Sequence, residues 1–159
     1  MAELLIIVAL ILTLACGAIT GVFYAFSTIV MNGLGGIPRA TGMAAMKAIN
    51  NAVYTRLFLI PYLGAALLCA LVLIIAPFAW RPLPAAFAFL GAAAYIGGTF
   101  VVTILCNVPL NNRLAEAKPD DSETAAFWDE YLQRWTMWNH VRAGAALAAT
   151  AFFFLAIWA

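Results

Sequence analysis

Four long apolar runs, at residues 4–30, 57–78, 85–108 and 141–159, constrain this chain more than any other feature. Three carry no charged residue and the fourth carries only Arg142. About 20 apolar residues in a helix span the roughly 30 Å hydrocarbon core of a bilayer. Inside that core every backbone group must find its partner within the protein, which a helix does locally. The first run is too long for the apolar part of a signal peptide and has no basic segment before it, Glu3 being the only nearby charge. Composition closes the soluble alternative. The 159 residues are 66% hydrophobic and 9% charged, against roughly 25% charged in a soluble domain, too few to cover a surface in water. The expected architecture is all-α: a single transmembrane domain, a four-helix up-down bundle whose solvent and first partner is the lipid bilayer.

The basic residues orient the bundle. The first link and its edge carry Arg39, Lys47 and Arg56, and the third carries Arg113, Lys118, Arg134 and Arg142, against Arg81 alone in the second. The positive-inside rule places links one and three in the cytoplasm and both termini outside, in a bacterial inner membrane. A net charge of +1 leaves no basic patch for nucleic acid.

Links one and three read as helices rather than loose loops. Gly33, Gly35 and Gly36 allow a break after the first span. Pro38 suits a helix's first turn, and Met43, Met46, Asn50, Val53 and Leu57 recur at helical spacing, predicting a helix from about residue 38 into the second span. Pro119-Asp120-Asp121-Ser122-Glu123 is a helix start with acids at the positive end of the dipole. Phe127, Trp128, Tyr131, Trp135 and Trp138 follow at helical spacing into the fourth span. These segments form amphipathic extensions on the cytoplasmic side. Gly17 and Gly21 make a GxxxG pair that suits close packing within the bundle, and a homo-oligomer interface is its other use. Cys16, Cys69 and Cys106 lie within apolar runs without metal or disulfide spacing and read as small core residues.

Polar groups at membrane depth are costly, and so are functional candidates. Asn50 and Asn51 precede span two, Asn107 and Asn111 straddle the end of span three, and Asn139, His140 and Arg142 begin span four. An up-down bundle brings all three groups to one rim. At about 100° per residue, Trp135, Trp138, Asn139 and Arg142 share a quarter to a third of the helix circumference, whereas His140 lies about 160° from Arg142. Pro109 either sits within a continuing helix or breaks it and frees carbonyls. Each residue also has a plainer role: asparagines as caps or interhelical glue, Tyr131, Trp135 and Trp138 as an interfacial aromatic belt, Arg134 and Arg142 reaching for lipid phosphates. One histidine cannot build a three-His zinc or two-His iron site. It could hold a haem or a single metal axially. No phosphate loop, dinucleotide fingerprint or nucleophile elbow is present.

The segments Asn107-Val108-Pro109-Leu110-Asn111-Asn112-Arg113-Leu114 and Trp135-Thr136-Met137-Trp138-Asn139-His140-Val141-Arg142 resemble the anthrone oxygenase-like integral membrane family. The resemblance extends to Gly21-Val22-Phe23, Met31 and Met46-Lys47-Ala48-Ile49-Asn50. It implies a membrane monooxygenase that uses O2 on a flat, apolar, anthrone-like phenolic substrate without a cofactor. In that scheme His140 removes a proton, Asn139, Asn107 and Arg142 stabilise the resulting oxyanion, and Trp135 and Trp138 stack on the substrate beside Asn50 and Asn111. Two alternatives remain: a non-enzymatic binding or scaffold protein for a lipophilic ligand or partner subunit, and a haem- or metal-binding redox protein.

Overall fold

Every element among the described residues is helical, as hydrocarbon solvent requires of a chain that closes no β-barrel. The computed structural model describes residues 2–79, 81–118 and 122–159. The first long helix comprises α1 (Ala2–Ala25), a π-helical turn (Phe26–Val30) and α2 (Met31–Gly35). Next come α3 (Arg39–Ala52) and α4 (Arg56–Ile75). The third long helix comprises α5 (Pro82–Ala93), π-helical segments Ala94–Val101 and Thr103–Asn107, and α6 (Val108–Glu116). The last, α7 (Ser122–Trp158), has 37 residues. Four stretches, Leu4–Gly35, Arg56–Phe78, Pro82–Glu116 and Thr124–Trp158, are long and apolar enough to cross a membrane. The chain is thus an all-α integral membrane bundle.

The helices form a ring: α7 packs on α1 and on α5, and α4 closes the circle between them. Short links make sequential helices antiparallel. Two cores stack along the axis. One fills the bundle with Leu12, Cys16, Ile19, Tyr95, Ala146, Ala149 and Phe153. The other lies at the rim, where α3 and α6 fold under the bundle, and holds Met43, Met46, Leu114, Trp128, Tyr131 and Trp135. Cys16 and Cys69 are fully buried, and all three cysteines are free.

Glycine sets the closest helix approach, but not at the GxxxG pair. A Cβ on Gly17 would meet Thr150 at an ordinary 3.7 Å, and one on Gly21 would meet nothing within 4 Å. The tight seam is at Gly98, where an added Cβ would collide with that of Ala145 on α7. Small residues matter because they let backbones approach, and here the smallest pair faces across the third and fourth helices.

Three local expectations change. The helix after Pro38 starts at Arg39 as expected, yet it does not run into span two: it ends at Ala52, and Thr55 is extended before α4 begins. The amphipathic α3 must lie across the rim while the wholly apolar α4 enters the lipid, so the chain turns between them. Pro109 does not break the third helix. It takes the first turn of α6, where a missing N–H costs least, after a π-helical segment has already rewound the chain. Trp135 and Tyr131 are not a lipid-facing belt; they are 5% and 0% exposed inside the rim core. The acidic helix start at 119–121 lies outside the described residues, and α7 is continuous from Ser122 into the fourth span as expected.

Candidate functional site

A polar layer separates the two cores. Four elements supply it: Phe23 and Ser27 from the first helix, Tyr62 from α4, Thr99, Thr103 and Asn107 from the third helix, and Trp135, Asn139 and Arg142 from α7. The third-helix residues recur every four positions and so face the same way along two consecutive turns. The π-helical winding over this stretch is of the kind often found where a helix serves a site.

Arg142 is the hub. It is 5% exposed, and among the described residues no carboxylate pairs with it; the ion pairs there join Glu130 to Arg113 and Arg134 at the surface. Its Nη2 donates to Asn139 Oδ1 at 2.6 Å and its Nη1 to Thr103 Oγ1 at 3.3 Å. The guanidinium lies over the Phe23 ring at 4.3 Å and the Trp135 ring at 5.1 Å. Two aromatic faces and two neutral oxygens ease the charge, but they do not neutralise it. Among the described residues its Nε has no hydrogen-bond partner.

The two buried asparagines brace this hub from either side. Asn139 Nδ2 donates to the Phe23 carbonyl at 2.6 Å and to Ser27 Oγ at 2.7 Å, tying α7 to the first helix. Asn107 Nδ2 donates to the Trp135 carbonyl at 3.1 Å, tying the third helix to α7, and its Oδ1 is buried without a partner. Thr99 Oγ1 donates to the Arg142 carbonyl at 3.2 Å. Both asparagines are interhelical glue as well as members of the candidate site.

Asn111 and Asn50 belong to an adjoining network at the rim. Asn111 Oδ1 accepts from Tyr131 and from Trp135 Nε1, each at 2.8 Å. Asn50 lies beside the Tyr131 hydroxyl. Trp128, Tyr131 and Trp135 stack in sequence along α7. Trp138 is half-buried against the same core.

The structure thus brings together Asn107, Asn139, Arg142 and Trp135, with Asn111, Asn50 and Trp138 next to them. It does not bring His140 to them. His140 is exposed on the opposite side of α7, beside an open groove of about 810 Å³ that it lines with Met31, Thr136 and Met137. Among the described residues it joins no group of three metal-ligating side chains.

A family model described as anthrone oxygenase matches residues 56–152, more than half of the chain. The chain belongs to the anthrone oxygenase family. No curated protein and no solved structure matches it. Membership supports a membrane oxygenase-like role at that coarse level. The matched span of this anthrone oxygenase family protein contains Arg142, Asn139, Asn107 and Thr103, while Phe23 and Ser27 precede it.

Sequence reasoning missed Phe23, Ser27, Tyr62, Thr99 and Thr103. The repeat Thr99, Thr103, Asn107 was a usable signal, three polar side chains one turn apart in an apolar run. Phe23 lay in a family-like segment without a role attached to it and Tyr62 gave no signal, because an aromatic ring in a span is ordinarily lipid-facing or core.

Proposed function

We propose that this protein is a membrane-embedded oxygenase that ionises a flat, phenolic, anthrone-like substrate and lets the resulting carbanion react directly with O2. The supporting observation is Arg142: a buried cation with no carboxylate partner among the described residues, held by Asn139 and Thr103 and flanked by aromatic rings. A buried charge is costly unless it is paired, and an anionic substrate oxygen would supply the pair.

The chemistry balances without an external reductant. The enol form of an anthrone loses its hydroxyl proton to give an anion delocalised between oxygen and the central ring carbon. That carbon gives an electron to O2 and recombines as a peroxide anion, which takes a proton. Loss of the remaining C–H proton with O–O cleavage yields the quinone carbonyl and hydroxide, so anthrone and O2 become anthraquinone and water. Arg142 stabilises the first anion, lowering its cost in a site of low dielectric. Asn107 and Asn139 hold Arg142 and Trp135 in place. His140 stands too far round α7 to touch that oxygen. Its place in the scheme is proton exchange at the rim, since the buried cation already favours ionisation of the enol. In this reading the rim faces the cytoplasm, which the basic residues of links one and three support.

The test is dioxygen uptake by detergent-purified protein given an anthrone, with and without a chelator. Uptake should survive chelation and fall about 10²–10³-fold in Arg142→Gln, the loss expected for one oxyanion donor. Abolition by chelator overturns the metal-free mechanism. An Arg142→Gln protein as fast as wild type overturns the role of Arg142, and inertness toward anthrones overturns the substrate class.

A further inference from the structure

A second group of the polar layer has no structural explanation. Tyr62, on α4, is 7% exposed, and its hydroxyl is buried without a hydrogen-bond partner among the described residues. A buried tyrosine hydroxyl usually finds a partner, and leaving one unpaired costs free energy. Phenylalanine would fill the same space at no such cost. The ring itself is well used: it stacks on Phe58 with centroids 5.5 Å apart and meets Phe23 edge-on at 6.5 Å.

Position gives the hydroxyl a meaning. It lies near the Thr103 hydroxyl, the same group that accepts from Arg142 Nη1. Phe23, which Tyr62 meets edge-on, lies under the Arg142 guanidinium. Tyr62 and Arg142 therefore flank the same two residues from different helices. Among the described residues, neither the Tyr62 hydroxyl nor the Arg142 Nε makes a hydrogen bond. Along the third helix, one turn past Thr103, the Asn107 Oδ1 is an acceptor with nothing to accept from. Its orientation is fixed, because a flipped amide would turn oxygen toward the Trp135 carbonyl that Nδ2 now serves.

We propose that Tyr62 and Arg142 together form an oxyanion site, with the Tyr62 hydroxyl and the Arg142 Nε donating to one ionised oxygen of a flat phenol or enol. Asn107 Oδ1 accepts the hydroxyl hydrogen of the neutral form before ionisation. Two donors and one acceptor match an oxygen that arrives protonated and reacts ionised. The proposal deepens the oxygenase function and rests on it for the identity of the substrate, but its test is one of binding.

The probe is 2-hydroxyanthraquinone, a flat phenol at the oxidation level of the product, whose visible absorption shifts on ionisation. It is titrated with pH in detergent-purified wild type, Tyr62→Phe and Phe58→Leu. Wild type should bind the ionised dye and lower the pH at which it ionises. Tyr62→Phe should weaken binding of the ionised form about ten- to a hundredfold, the loss of one hydrogen bond to a charged group. The dye should then ionise at a pH higher by about one to two units. Thermal stability separates this from a packing role. Because the hydroxyl has no partner to lose, Tyr62→Phe should melt at the wild-type temperature or above it. Phe58→Leu removes ring stacking alone, so it should lower the melting temperature and leave the dye's ionisation where it was. The proposal is overturned if wild type does not bind the dye, or if Tyr62→Phe binds it unchanged. It is equally overturned if Tyr62→Phe melts lower, or if Phe58→Leu shifts the dye as far. The oxygenase function is decided separately, by dioxygen uptake.

Discussion

Replacing Gly98 by alanine would test the seam that holds the Arg142 layer together. The new Cβ would sit well inside the 3.0 Å that real Cβ pairs respect, against the Cβ of Ala145. To reach ordinary contact, the third helix and α7 must separate by roughly an ångström or shear past one another. Two effects of opposite sign compete. Alanine is the better helix former by about 1 kcal/mol, so at a loose seam the change would stabilise. Overpacking costs about 1–3 kcal/mol, and opening the neighbouring Thr99 to Arg142 carbonyl hydrogen bond adds about 0.6 kcal/mol, the average for such bonds in a membrane. The net is a destabilisation of about 0.6–2.6 kcal/mol, or roughly 3–6 °C in melting temperature at the middle of that range. The assay is thermal unfolding in detergent micelles followed by circular dichroism. Ala145→Gly in the same chain removes the opposing methyl and should restore most of the loss. Displacement of the Arg142 turn should also slow dioxygen uptake, on the order of 10²-fold for a misplacement of this size. A Gly98→Ala protein that melts at or above wild type, or one that Ala145→Gly does not rescue, refutes the seam.

Other changes probe the layer and its surroundings. Asn139→Ala leaves the Phe23 carbonyl, Ser27 and the Arg142 Nη2 without their partner. Two interhelical bonds at about 0.6 kcal/mol each and one to a charged group at about 1.5–3 kcal/mol give a loss of about 3–4 kcal/mol, read as a larger fall in melting temperature than for Gly98→Ala. Asn111→Ala strands the Tyr131 hydroxyl and Trp135 Nε1. It should cost about 2–4 kcal/mol and change the tryptophan emission as the rim core loosens; a silent substitution would show that the stack stands without it. Glu130→Gln removes both surface ion pairs, whose arginines are 59% and 58% exposed. Exposed pairs contribute little, so its melting temperature should match wild type and respond no more to salt; a fall of several degrees would mean that these pairs anchor α6 to α7.

Parts of the site were legible because their constraints are local. The convergence of Asn107, Asn139 and Arg142 followed from up-down connectivity alone, since each stands at the same end of its span. The divergence of His140 from Arg142 followed from helical pitch, and the structure keeps it: His140 is exposed while Asn139 and Arg142 are buried. The partners of these residues were another matter. Phe23 meets Arg142 from a helix 119 positions earlier in the chain, and the family-like segment Gly21-Val22-Phe23 gave it no role. The Tyr131 and Trp135 side chains could equally have faced lipid, and only the docking of α3 and α6 beneath the bundle encloses them.

The sequence by itself determined that the chain is helical and lives in a membrane. Hydrocarbon offers no partner to a backbone N–H or C=O, so each apolar run of sufficient length must satisfy itself, whatever its neighbours do. It also determined where α3 begins and that one rim is polar. Only the tertiary structure decided which glycine makes the close contact, Gly98 rather than Gly17 or Gly21, and where the first link turns. It alone showed that, among the described residues, Arg142 is buried without a counter-charge and the Tyr62 hydroxyl without a hydrogen bond. Those outcomes depend on the rotation of each helix about its axis. That rotation is set by packing between residues far apart in sequence, which no local pattern in an almost uniformly apolar span can encode.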